Sequence, residues 1–391
     1  MLTSKPTTST ETKYQPPERN PESTTVMKTT LYSLLAAAAS CALASAAATA
    51  YTTPVGYVTI PIPGTGGSTP TRLQLASEQL LPSGSTQYAG VVTSFSGNVL
   101  TDSAGTWSAG DYVNPTPPTG FPNYTDLVEI TSGPLTGTYT WITATGANTI
   151  TTYDDISAAG AGASYRVVKA FTIASLLGNP PSASVLGGGS ATSADTFSLF
   201  SSTSGGYTTF YYKTSGLGGT GWRSTASTSV DVSSVAIHPV DSGLVFVRKQ
   251  SSDGSLVIAG DVKTGATGVV IRGAGGTGPA ATTLNIVQAL IPANQITLGT
   301  SGLYTGSATT GLAGGSATTA DTVSIFNAST NTYTVYYYKT SGLGGTGWRS
   351  TGSTSTDESA TALPSTSAIL IQRKNSGTDF TWNIPAVSIG N

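Results

Sequence analysis

The groups that carry most enzyme chemistry are scarce in this chain. His238 is its only histidine and Cys41 its only cysteine, so a metal site built from imidazoles and thiolates is excluded by count. A Ser-His-Asp relay would have to run through His238 and Asp241, with no Gly-x-Ser-x-Gly elbow anywhere to present the nucleophile. Carboxylates are better supplied: Asp102, Asp111, Asp126, Glu129, Asp154 and Asp155 gather in one stretch. Two acids in a cleft would hydrolyse a glycosidic bond, and several oxygens would suit calcium. Yet Asp154 and Asp155, side by side in a strand, would point to opposite faces, and none of the six falls in a calcium-loop spacing. Solvated turn positions are the plainer expectation for these acids. No catalytic residue, no metal site and no cofactor is expected, calcium being the alternative.

The most conspicuous chemistry is aromatic and cationic, and it occurs twice. Tyr211 to Thr225 recurs letter for letter at Tyr337 to Thr351, 126 positions on. Each copy carries two tyrosines, a Gly-Leu-Gly-Gly-Thr-Gly run, a tryptophan and an arginine. The glycines do not match a dinucleotide fingerprint, which needs a strand-to-helix turn, or a Walker loop, which needs Lys followed by Ser or Thr. Two readings remain. Tyr211, Tyr212, Trp222 and Arg223, with Tyr337, Tyr338, Trp348 and Arg349, would form an exposed platform for a sugar or a neighbouring protein. Alternatively they are packing groups: glycine permits positive φ and close approach, the indole plugs the unit with its N–H on one acceptor, and the arginine stacks on a ring or pairs with an acid. Asp195 and Asp321 are the candidate acids, because they recur at the same unit position. The packing reading is the expectation.

The elements that must position these residues read as strands. Thr196 to Phe200 and Thr322 to Phe326 alternate polar with apolar, the period of strands with one buried face. Tyr207 to Lys213 and Tyr333 to Lys339 return from turns at Ser204–Gly206 and Asn327–Asn331, giving hairpins rich in β-branched and aromatic residues. Leu244–Arg248 and Ala368–Gln372 add a strand to each unit, and Phe380–Ile384 a last one. Arg72–Leu80 and Leu284–Ala289 are the helix candidates. His238 aligns with Leu363 and Asp241 with Thr366, so the unit does not require an imidazole.

The repeat extends beyond the motif. Gly188–Thr196 matches Gly314–Thr322 with one substitution, and Arg248-Lys249 matches Arg373-Lys374. A fainter echo links Val55–Ile60 to Thr267–Ile271. From Gly56 to Asp195 is 139 residues, against 53 from Gly268 to Asp321, so the first unit holds an insertion the size of a small module, placed at 87–169. Its strand-sized segments, Val99–Thr101, Leu127–Thr131, Tyr139–Ile142, Thr149–Thr152 and Tyr165–Val168, are broken by Gly, Asn, Asp and Pro turns. The expected fold is all-β: two related antiparallel β-sandwich or barrel units, 51–265 and 266–391, the first with the inserted β module.

Composition narrows the setting. Charged residues make up only 9% of the chain, well below the soluble average, and Ser, Thr, Ala and Gly fill the difference. No apolar run in the body of the chain reaches the length of a spanning helix, so no transmembrane segment is expected in the mature chain. Met27-Lys28, the apolar stretch Leu31–Ala44 and Ala48-Thr49-Ala50 follow the order of a secretory signal. Residues 27–50 are therefore assigned to a signal peptide and 1–26 to an untranslated or disordered extension. A cleaved chain would contain no cysteine, and a lipid anchor at Cys41 is the minor alternative. The expected location is secreted or on the outer cell surface. The cations are scattered, with no cluster beyond Arg248-Lys249 and Arg373-Lys374, so nucleic acid is not an expected partner.

On the Pro54–Val58 segment after the signal, the Gly-Leu-Gly-Gly-Thr-Gly-Trp-Arg run and the Arg-Lys pairs, the chain resembles an uncharacterised family of secreted proteins of verrucomicrobial bacteria. The Trp107–Val168 stretch resembles small β modules of phage tail and surface proteins. Neither resemblance implies a catalytic residue, and the two core units depart from a single-copy plan. The expected function is that of an exported structural or cell-surface protein that assembles with itself or other envelope components. A carbohydrate-binding or adhesive module is the alternative, and a glycan-acting hydrolase the third reading.

Overall fold

The computed structural model describes residues 55–66, 72–76, 80–201, 206–263, 265–274, 283–287, 296–327, 329–365, 367–374 and 377–385. The expected signal, Cys41 and the 1–26 extension lie outside the described residues, as do Ser204 and Gly205 of the first expected turn.

Two five-stranded antiparallel sheets share one strand order. The first runs, edge to edge, Gly221–Ser224, Gly206–Lys213, Thr196–Ser201, Leu244–Arg248 and Arg72–Ala76. The second runs Gly347–Ser350, Thr332–Lys339, Thr322–Asn327, Ile369–Arg373 and Thr283–Val287. Register repeats as well: Tyr212 lies opposite Trp222 as Tyr338 lies opposite Trp348. The fifth strands overturn the helix expectation over Arg72–Ala76 and Leu284–Val287, while residues 77–79, 288 and 289 of those candidates lie outside the described residues. Helix propensity at these leucines, glutamines and alanines is a weak bias, and it loses to main-chain pairing with Leu244–Arg248 and Ile369–Arg373. The α-helix that does form, Ile173–Leu177, escaped sequence reading. Thr172 caps it, accepting a hydrogen bond from the Ser175 N–H at 3.1 Å, with Gly178 at its end.

Each five-stranded sheet shares a core with a β-ribbon. In the first, Phe197, Phe210, Trp222 and Phe246 meet Ile60 and Ile258 from Val55–Ile62 and Gly254–Val262. In the second, Val323, Trp348 and Ile371 meet Ile271 and Trp382 from Thr267–Ile271 and Phe380–Ile384. The ribbons correspond through Gly64 and Gly273, whose N–H groups donate to Asp253 and Asp379, so that the pair Ile60–Leu256 matches Val269–Trp382. This places Thr59 opposite Gly268 in the comparison and shifts the sequence echo, which set Gly56 against Gly268, by three residues.

The outward faces of the five-stranded sheets are not free. Phe200, Ile286, Phe326 and Ala368 form a buried cluster, flanked by Val245, Leu284 and Leu370, that joins one sheet to the other. Both faces of these strands are therefore used, beyond the single buried face that alternation suggested. Gly243 allows the contact, since a Cβ there would lie 1.9 Å from Cγ2 of Ile286.

Residues 86–169 supply a seven-stranded antiparallel sheet with the order Thr86–Val91, Ser164–Lys169, Asp126–Ile130, Tyr139–Gly146, Thr149–Thr152, Val99–Thr101, Ser94–Ser96. Alternation divides its side chains. Val128, Ile130, Ile142, Ile150, Tyr165 and Val167 build a core local to this sheet, together with Trp107. Leu127, Tyr139 and Val168 turn the other way and enter the core of the second unit.

Candidate functional site

Both copies of the Gly-Trp-Arg loop fold onto themselves. Gly216, Gly218, Gly219 and Gly221 all have positive φ, as do Gly342, Gly344, Gly345 and Gly347; this is the conformation only glycine takes without strain. The turned backbone aims its carbonyls inward. Arg223 donates from Nη1 to the Trp222 carbonyl at 2.7 Å and to Asp231 at 3.1 Å, and from Nη2 to the carbonyls of Gly218 and Thr220 at 2.7 and 3.1 Å. Arg349 repeats the set on Trp348, Asp357, Gly344 and Thr346. Lys213 closes the other side of its loop on the carbonyls of Leu217 and Thr228, and Lys339 does so on Leu343 and Thr354. A phosphate loop has the reverse polarity, with N–H groups facing the ligand. Here the loop is an acceptor cradle already filled by its own cations.

The rings are packed as well. Tyr211, Trp222, Arg223, Tyr337, Trp348 and Arg349 are buried, while Tyr212 and Tyr338 are half-buried. Trp222 sits edge-on to Phe197 and Tyr212 at 5.5 Å and donates its indole N–H to the Gly178 carbonyl at 2.8 Å. Trp348 meets Tyr338 in the same way, and Tyr304 stacks on Tyr338 at 3.5 Å. The one large apolar side chain each loop shows to solvent, among exposed Thr, Ser and Gly, is Leu217 or Leu343, each 95% exposed.

The expected acid partners are corrected. Asp195 and Asp321 do not pair with Arg223 and Arg349, whose acids are Asp231 and Asp357 eight positions on. They hold the arginines of the Arg-Lys pairs. Asp321 accepts from Nε of Arg373 at 2.9 Å and from the main-chain N–H of Ala313 and Lys374 at 2.8 and 2.7 Å, with both side chains fully buried. Asp195 accepts from Gly187 and Lys249 N–H at 2.7 Å, with Arg248 at 3.6 Å. Sequence reading noted these arginines only as members of the two small cationic pairs and gave them no partner.

The six acids of the 86–169 sheet serve separate local networks, and half of them depart from the solvated-turn expectation. Asp102 is buried and accepts from the hydroxyls of Tyr88 and Tyr165 at 3.1 and 2.9 Å. Asp126 is buried, and desolvation pushes its carboxyl above the ordinary range. Glu129 is buried between Arg166 and Lys263, with the Tyr139 hydroxyl also on Lys263. Asp154 and Asp155 lie beyond the strand Thr149–Thr152, not within one: Asp154 pairs with Arg272, and Asp155 accepts from the Ser157 N–H. Asp111 accepts from the Ser108 N–H. Among the described residues no three His, Cys, Asp or Glu side chains are grouped to hold a metal ion.

His238 is buried. Its Nδ1 accepts from the N–H of Val240 and Asp241 at 3.2 and 3.0 Å, and its ring stands edge-on to Trp141 at 5.2 Å. Burial, helped by the charge of Arg272, holds its pKa down to about 3. Trp141 in turn stacks on Tyr124, which Tyr153 meets edge-on. This aromatic series, from exposed Tyr153 to buried His238, lies beside the Arg272, Asp154 and Asp379 ion cluster. It joins residues more than 80 positions apart, for which the sequence carried no signal.

No protein-family model, curated protein or solved structure matches this chain.

Two outcomes follow from these burials. Asp321→Ala strands a buried guanidinium and two main-chain donors and should cost about 3–5 kcal/mol in chemical denaturation, whereas Asp357→Ala, at an exposed acid, should leave the midpoint unchanged. An equal loss at both sites would contradict the assignment of the internal pair. For His238, the folded pKa lies below the unfolded value of about 6.5. The unfolded chain therefore binds the extra proton between these values, so this contribution to stability is intact above about pH 6.5 and is lost as pH falls toward 3, at about 1.4 kcal/mol per pH unit. Denaturation midpoints across that range should fall less steeply in His238→Leu than in the parent, and parallel curves would refute the neutral buried imidazole.

Proposed function

We propose that this is an exported structural protein of a cell surface, non-catalytic, built as two related β-sandwich units with a β module inserted in the first, and acting by assembly with itself or with other envelope components. The supporting observation is how the most chemistry-capable residues are used. In both copies of the motif, the Arg Nη groups and the Lys ammonium donate to carbonyls of their own loop, and the tryptophans are packed into the core. Such loops shape and seal a sheet. The secretory-type order at 27–50 supports export, and the Ser, Thr and Gly surface keeps charge low, so neighbouring copies meet little repulsion.

Purified chain should show concentration-dependent assembly in sedimentation velocity between micromolar and millimolar protein. A strictly monomeric species throughout that range would count against the reading.

A second reading, glycan binding, is favoured by the Tyr153–Tyr124–Trp141 series rather than by the buried motif rings. Partly exposed aromatic faces beside acids and an arginine are what sugar C–H faces and hydroxyls pack against. A glycan array should then give a signal that Tyr153→Ala with Tyr124→Ala removes; an array with no signal, or with one unchanged by the double variant, sinks this reading.

A further inference from the structure

The two ribbons differ at their outer edges. In the second unit the strand Thr267–Ile271 is continued by the 86–169 sheet: Thr138 forms a parallel bridge to Gly268, and the Gly268 N–H donates to the Gly137 carbonyl at 2.9 Å. Both glycines are required by the closeness of this contact. A Cβ at Gly268 would lie 2.5 Å from the Thr138 hydroxyl, and one at Gly137 would lie 2.1 Å from the Ala266 carbonyl oxygen.

In the first unit the equivalent strand, Val55–Ile62, is an edge: among the described residues it pairs with Gly254–Val262 and with no strand on its other side. Tyr57 lies two residues before Thr59, which stands where the second unit has Gly268, and on the same face of the strand. It is 77% exposed, in line with Val55 at 68% and beside Val257 at 56% on the neighbouring strand. The strand contains no charged residue, and Asp261 on its partner is engaged by the Gly84 N–H. Natural edge strands are protected by lysines, by brevity or by a covering element. This one is eight residues long and has none of these, apart from Pro61, which withholds one donor near its end. The edges of the two five-stranded sheets formed by the motif strands are different: the Trp222 and Trp348 carbonyls accept from Val232 and Glu358 N–H at 3.1 and 3.0 Å, so the chain covers them itself.

Resting on the assembly reading above, we infer that Val55–Ile60 is the contact, and that it pairs antiparallel with the same segment of a second copy about a two-fold axis. The occupant is a second copy because the equivalent edge in the other unit is already completed by main-chain addition from this same polypeptide, and because an uncharged strand facing its own image meets no repulsion. An open edge that meets its own image satisfies itself in an isologous pair. The product is a closed dimer with a sheet continuous across the seam, in which Val55, Tyr57 and Val257 of both copies lie on one face.

The test is sedimentation velocity on the full chain and on Tyr57→Lys with Thr59→Lys, combined with hydrogen exchange of the 55–60 amides in the parent at low and high concentration. The expected result is a parent dimer, a monomeric double variant whose melting temperature matches that of the parent at concentrations too low for the parent to dimerise, and amide exchange at 55–60 slowed about tenfold or more in the dimer. A double variant that still assembles, or 55–60 amides that exchange at one rate at every concentration while the parent assembles, overturns this interface and leaves the assembly reading standing. A parent that never assembles removes both. Should the double variant fail to fold, the exchange measurement on the parent decides alone.

Discussion

A buried cation is costly unless its donors find acceptors, and the two repeated units are built around meeting most of that demand. Among the described residues seven lysines and arginines are buried: Lys213, Arg223 and Arg248 in the first unit, Lys339, Arg349 and Arg373 in the second, and Lys263 against the 86–169 sheet. The first six do paired jobs. Lys213 and Lys339 tie a glycine turn to a strand end, Arg223 and Arg349 gather the same turn from the other side, and Arg248 and Arg373 hold an aspartate that also fixes two main-chain N–H groups. The carbonyls exposed by the positive-φ glycines would be costly to bury alone, and the cations would be costly to bury without them. Each makes the other possible, which is why the motif recurs as a block.

Strands with steady alternation were legible in the sequence, Thr196–Phe200 and Thr322–Phe326 among them, as was the all-β class. Arg72–Ala76 and Thr283–Val287 were not, because a short fifth strand is defined by the neighbour it pairs with, and its composition also suits a helix. The partners of the motif arginines were within reach: Asp231 and Asp357 recur at the same 126-residue offset as the arginines they hold, a regularity as good as the one that pointed to Asp195 and Asp321. Burial of Arg248 and Arg373 was harder to foresee, since an Arg-Lys pair ending a strand reads as solvated charge. Contacts such as Glu129 with Lys263 and Arg272 with Asp154 span more than a hundred residues and had no local signature at all.

Duplication did not leave two equal halves. Gly243 in the first sheet corresponds to Ala368 in the second, and only the glycine leaves room for Ile286. Gly268 in the second ribbon corresponds to Thr59 in the first, and only the glycine admits the backbone of the 86–169 sheet. Each difference is a single side chain at a close approach, and together they fix which face of each unit is covered from within the chain. The asymmetry therefore lies in what the units touch, while the loops that hold each unit closed have stayed the same.

The internal placement of the cations also bears on degradation. A protease that cuts after lysine or arginine needs that side chain in its pocket and several flanking residues drawn out straight. At seven positions of this chain the side chain is sunk beneath a turn and its neighbours are tied into a sheet, so cutting there must wait for local or global opening. At those seven positions the fold gives such enzymes little to grip while it stays intact.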